Sequence, residues 1–170
     1  NDGQVLTSAG AGAPPVFETL ASAANTPCFA VLLSSGQSIS NNTATVVAFN
    51  TEIVDTDNAV SSGVFTAPSG KGGKYFFAVN GGMNTGNDIA NVNIWLSKNN
   101  QQNITTTSGW AIAIEYHHEG TKSSNQIQSV SGTFDLNASD TVKVYIQHNF
   151  GSSKNTATHG RFCFSGHKLI

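Results

Sequence analysis

"SSGVFTAPSGKGGKYFFAVNG", residues 61–81, is the stretch on which the fold turns. Val64 and Phe65 run into Pro68, and Gly70, Gly72 and Gly73 follow with two lysines among them. The run Tyr75-Phe76-Phe77-Ala78-Val79 then reads as a strand. A glycine-rich loop with lysine could cradle phosphate. That chemistry needs a Gly-Lys-Ser/Thr ending and a helix whose N-terminus faces the anion. Here the ending is absent and a strand follows. The stretch therefore reads as a corner between two β segments.

Strand-like segments extend outward from this corner in both directions. "CFAVLLSS" (28–35) is a continuous apolar run, and "ATVVAFN" (44–50) is another. "GKYFFAVNGG" (73–82), "NVNIWLSK" (91–98), "WAIAIEYH" (110–117) and "IQSVSGTFDL" (127–136) follow. "TVKVYIQHN" (141–149) and "GRFCFSGHKLI" (160–170) complete the set. Val92, Ile94 and Leu96 share one face of their segment; Val142, Val144 and Ile146 share one face of theirs, opposite Lys143, Tyr145 and Gln147. Period two marks a strand with one buried face. Gly81-Gly82, Asn99-Asn100, Gly120, the run 137–140 and Gly151 punctuate the segments. No segment holds a helical period over three turns. The expectation is an all-β antiparallel sandwich of about ten strands.

Residues 1–25 differ: Gly, Ala and Pro dominate, and Val5, Leu6, Val16, Phe17 and Leu20 are too sparse for a core. They read as an extended arm or linker that packs on something else, and 26–170 as the head. Asn1 in place of Met points to a processed form or a fragment.

The chain has 170 residues, 38% hydrophobic and only 11% charged, with a net charge of −2. Asn, Ser, Thr and Gly fill the place of charge, which suits an extracellular or virion surface. Nucleic-acid binding would need clustered lysine and arginine, so none is expected. No apolar run is long enough to span a membrane. Cys28 and Cys163 form no metal-ligand spacing. Two readings stay open for them: buried thiols, or a bridge between the first and last strands of the head.

Candidate chemistry is thin. In "EYHHEG" (115–120) His117 and His118 sit beside Glu115 and Glu119, but neighbours on a strand point to opposite faces and chelate one ion poorly. "DTDNA" (55–59) opens like a calcium loop and lacks its glycine and distant glutamate. Asp135 and Asp140 flank the turn "DLNASD", where Asx side chains cap backbone groups. There is no nucleophile elbow, and the five histidines are scattered. No enzyme, cofactor or metal is expected. Trp110 and Tyr116, with His117 and His118, are the candidate receptor-binding residues, the aromatics as stacking platforms for sugars.

Residues 28–170 resemble the globular head of complement component 1q, within the tumour-necrosis-factor-like jelly rolls. The resemblance is carried by Gly63, Phe65, Pro68, Gly73, Tyr75 and Phe77, by "VVAFNTEIVDTDNAV" and "NIWLSKNNQ", by "GTFDLNASDTVKVYI", and by Phe164, Gly166 and Leu169 of the closing strand. Lys71 and Gly72 lengthen the corner, Ser139 stands where that family has glycine, and 99–126 is longer than usual. No collagen repeat precedes the head. The arm, "NDGQVLTSAGAGAPPVFET", resembles a segment that recurs in bacteriophage tail-fibre and appendage proteins just before a distal domain.

Together these resemblances imply a homotrimeric jelly-roll head at the tip of a phage fibre. It would lie on the virion surface, attached to an upstream shaft or other virion proteins, and bind a host cell-surface glycan or protein. Apolar residues on both strand faces, as in "CFAVLLSS", "YFFAV" and "RFCF", give trimerisation a physical motive. Rival readings are a purely structural capsid or tail part, a secreted lectin-like domain carrying glycans at Asn41, Asn103 or Asn137, and a depolymerase with paired acids.

Overall fold

The computed structural model describes residues 4–19, 25–84, 89–101, 111–119, 125–157 and 162–170, with backbone alone for 89–90, 111–119 and 125–126. In chain order its strands are β1 (Gln4–Thr7), β2 (Val16–Thr19), β3 (Cys28–Leu32), β4 (Ser38–Ile39) and β5 (Thr45–Val46). Next come β6 (Thr51–Asp55), β7 (Val60–Ser61), β8 (Val64–Thr66), β9 (Gly73–Asn84) and β10 (Ile89–Lys98). The last are β11 (Ala111–Glu119), β12 (Asn125–Leu136), β13 (Thr141–His148), β14 (Lys154–Asn155) and β15 (Cys163–Lys168). The description contains no helix. The excess over about ten strands comes from the two-residue pairings β4, β5, β7 and β14.

Two antiparallel sheets form the head. One has the order β12-β9-β15-β3-β6; the other runs β11-β10-β13-β8-β7, with β5 also on β13. Between them lie the alternating residues that the period of two selects: Val92, Ile94 and Leu96 from β10, Val142, Val144 and Ile146 from β13, and Tyr75, Phe77 and Val79 from β9. Phe29, Phe65, Phe77 and Phe164 form the centre, with ring centroids 4.9–6.1 Å apart. Such offset and edge-on aromatic pairs add to the burial of their area. "CFAVLLSS" is not buried throughout. Phe29, Val31 and Leu33 enter the core, and Cys28, Ala30 and Leu32 stay half-buried on the far face.

The stretch 61–81 is a corner, and only one of its strands is long. β8 is a three-residue segment between β13 and β7, and β9 starts directly at Gly73. Gly63 turns β7 into β8 with φ +75°; a Cβ there would meet Val47 O at 2.5 Å and Phe49 N at 2.9 Å. The corner is tied to the turn before β13: Ala67 N–H donates to Asp140 O (2.9 Å) and Ser139 N–H to Ala67 O (2.8 Å). The inserted Lys71 is used, because the Tyr75 hydroxyl donates to its carbonyl. Burial, with Asp57 adding to it, pushes the Tyr75 phenol above its ordinary range. Phe65, Tyr75 and Phe77 all face the core.

β6 lies outside the strands read from the sequence. "TEIVD" does not alternate, and the structure gives the reason: it is an edge strand whose register slips at Ala30/Val31. Charged ends and a bulge are usual at such edges. Within the arm, the described residues 4–19 form a hairpin. β1 pairs with β2, and Leu6 and Phe17 stand opposite each other, 60% and 69% exposed.

Candidate functional site

The outward face of the five-stranded sheet is built from the alternate positions that the core does not take. Three ranks cross β3, β15, β9 and β12. Cys28, His167, Phe76 and Thr133 form the first. Ala30, Ser165, Ala78 and Ser131 form the second, and Leu32, Cys163, Asn80 and Ser129 the third. None is an acid, a lysine or an arginine. The β3 and β15 members, with Phe76 and Ala78, are half-buried. Phe76 and His167 rings lie 5.8 Å apart, and the Ser129 hydroxyl donates to Asn80 Oδ1. Lys74 and Asp135, paired in register, bound the face at the end where the arm enters. On the neighbouring edge, Ile53 and Val54 of β6 are exposed.

Cys28 and Cys163 are both free and half-buried. The two strands are neighbours, as the bridge reading required. However, Cys28 pairs with His167 and Cys163 with Leu32, four positions apart along the ladder. At about 3.3 Å per residue that separation is roughly 13 Å, well beyond what a disulfide spans.

The other sheet's outward face differs. Trp95 and Tyr145 are register partners that stack at 5.2 Å and 12°, and both are buried although neither belongs to the core between the sheets. Trp95 Nε1–H donates to Gln101 O (3.2 Å), as does the Ser97 hydroxyl (2.8 Å). Beyond this pair come Asn93 opposite Gln147, then Asn91, whose N–H donates to Asn149 Oδ1 at 2.7 Å. These amides and His148 line a small cleft at the end of the head away from the arm.

Of the candidate receptor-binding residues, Trp110 lies outside the described residues. Tyr116, His117 and His118 fall within β11, in register with Val92, Asn91 and Ala90. His117 is thus placed beside the amide cleft by backbone register. Asn103 lies outside the described residues, and Asn41 uses its Oδ1 to accept the Gly151 N–H at 2.7 Å.

Two acids are committed to turns. Asp55 accepts the N–H groups of Ala59 (2.9 Å) and Val60 (2.8 Å), which accounts for "DTDNA" without a metal. Asp140 accepts from Asn99 Nδ2 (2.7 Å), pairs with Lys98 (2.9 Å) and takes the Asn137 N–H (2.8 Å). The Asn99 hydrogen bond first, then Lys98, holds its carboxyl down to about 2. Sequence reasoning missed Trp95 and the amide cluster. Their signal was the alternation of Asn91, Asn93 and Trp95 with the apolar residues of β10.

No family model and no curated protein matches the chain. Solved structures do. The globular domain of zebrafish complement 1qA protein superposes with a TM-score of 0.54 at 19% identity, over 85% of this chain and 98% of that one. Murine APRIL (crystallised at pH 8.0) gives 0.55 at 11% identity, over 84% and 98%. Eiger TNF from S. frugiperda gives 0.52 at 13%, over 85% and 94%. The chain has the jelly-roll fold shared by complement 1q heads and tumour-necrosis-factor-like proteins.

Proposed function

We propose that this chain is the homotrimeric, non-enzymatic distal head of a bacteriophage fibre, carried on the virion surface and binding a host bacterial surface. The observation that carries the reading is the uncharged outward face of the β12-β9-β15-β3-β6 sheet. Around Ser165 and His167 of the central strand β15 it presents Ala30, Leu32, Phe76 and Ala78 half-buried, and such a face is stable in water when copies cover it. Three copies around an axis close the interface without leaving an open edge. The resemblance of the arm to phage appendage segments supports the fibre, and the exposed Leu6 and Phe17 give that arm something to pack. An isolated two-stranded hairpin is marginal in water, so a neighbouring chain or copy would hold it.

Three heads then present three copies of the far-end loops to one cell. Weak single contacts become firm attachment by avidity. The Asp55 and Asp140 carboxylates serve turns, which supports recognition rather than hydrolysis. The test is attachment of fluorescently labelled chain to a panel of bacterial strains. Saturable binding to some strains, competed by unlabelled chain, is expected. Absence of binding to every strain by a chain of trimer mass would instead favour a purely structural part.

A further inference from the structure

We propose that the amide-lined cleft at the end of the head away from the arm binds one neutral, hydroxyl-rich sugar unit. This rests on the surface-attachment reading and names the ligand class for it. Asn42, Asn91, Asn93, Gln147, His148 and Asn149 enclose ≈ 130 Å³. That is several times the space one ordered water needs.

The lining selects the ligand. Each amide offers both a donor and an acceptor, which matches hydroxyls that donate and accept in turn. The described lining residues include no lysine, arginine, aspartate or glutamate, and Glu115 is the register partner of Asn93, so an anion finds no countercharge from them. An apolar group would strand the amides without water. His148 is spent on structure. Its Nδ1 accepts the Phe150 N–H (3.3 Å), which leaves Nε2 to donate to Ile39 O (2.9 Å). His148 therefore holds the cleft's shape rather than offering a nitrogen to a ligand.

The site is also held in advance. Gln147 Nε2 donates to Asn42 O (3.0 Å), Asn42 N–H to His148 O (2.7 Å), and Asn149 N–H to Asn91 O (3.3 Å). The stacked Trp95–Tyr145 pair supports the strands one step further along the ladder. Preorganised groups lose little freedom on binding. One acceptor stands apart: Asn93 Oδ1 is buried and takes no hydrogen bond from the protein. A buried acceptor left so is costly, and a turn of the Asn93 amide toward the cleft, where a ligand hydroxyl donates to it, relieves that cost.

The test is saturation-transfer NMR on the 170-residue chain with glucose, galactose and N-acetylglucosamine, and with glucuronate as the charged control. At least one neutral sugar should bind, glucuronate should not, and Asn93→Ala should weaken binding about five- to tenfold, the loss of one hydrogen bond. Gln147→Ala, half-buried, gives a second reading if Asn93→Ala misfolds. Thr133→Ala on the opposite sheet should leave binding unchanged. Two results overturn the proposal: no neutral sugar binds, or both cleft variants bind like the parent. If the parent attaches to bacteria but no neutral sugar binds, the cleft is wrong and the attachment reading stands. If sugar binds and no strain is bound, the cleft stands and the attachment reading falls.

Discussion

The two outward faces of the sandwich follow the same alternation and come to opposite ends. On the β3-β15-β9 side the positions left by the core include Cys28, Ala30, Leu32, Phe76, Ala78 and Cys163, small or apolar and half-exposed, interleaved with Ser165, His167 and Asn80. On the β10-β13 side they are Asn91, Asn93, Trp95, Tyr145 and Gln147, where the aromatics are already buried and the amides crowd one end. Charge is sparse on both: Lys143 stands on the second face, and Lys74 and Asp135 bound the first. What separates them is whether the apolar groups are covered within the chain. The face whose apolar groups remain uncovered is the one proposed to pack on copies of itself. The face that has covered its own is free to meet something else.

A charge placed on the uncovered face should break this contrast most sharply. Ala78→Glu would set three carboxylates near one another in the assembly, and desolvating them without partners is prohibitive. Sedimentation velocity should show the mass falling from three chains to one, whereas Asn93→Asp on the other face should leave it at three. Next in size, Trp95→Ala removes the buried aromatic that closes the β10-β13 face and should cost about 3–5 kcal/mol in chemical denaturation. A loss below about 1 kcal/mol would mean that this face is not packed as described.

Smaller effects concern the turn that ties the corner to β13. Asp140 is held below its ordinary 3.8, at about 2, so its stabilising contribution is present above about pH 4. It fades as the pH falls toward 2. Because the group is near the surface, the loss is on the order of 1 kcal/mol, and Asp140→Asn should flatten that part of the stability-versus-pH curve. Ser139 sits at φ +71°, where a side chain is strained. Ser139→Gly should therefore raise stability by up to about 1 kcal/mol, read as a higher denaturation midpoint at unchanged slope.

Much of the sandwich was legible because alternation and burial coincide. Val92, Ile94, Leu96, Val142, Val144 and Ile146 were readable as core, and the glycine corner was readable as a corner. β6 was not, since an edge strand answers to solvent and a bulge rather than to a period of two. The arm's hairpin was not either, because its pairing of Leu6 with Phe17 draws on no core. The candidate site was half legible. His117 and His118 fall on the strand beside the cleft, yet the amides that line it read as ordinary solvent-facing residues. Only folding brings Asn42, Asn93 and Asn149 together from three separate segments. The thiols show the converse: the neighbouring strands were readable, and the four-position offset that keeps Cys28 and Cys163 apart was not.

If two further copies of the chain cover the β3-β15-β9 face, the native protein has the mass of three chains. The molar mass of the native protein, by light scattering behind a sizing column, tests it most directly. With a 17.7 kDa chain, a single species of about 53 kDa that persists on dilution is expected. A monodisperse species at the mass of one chain, soluble and folded with Ala30, Phe76 and Ala78 in water, would contradict it.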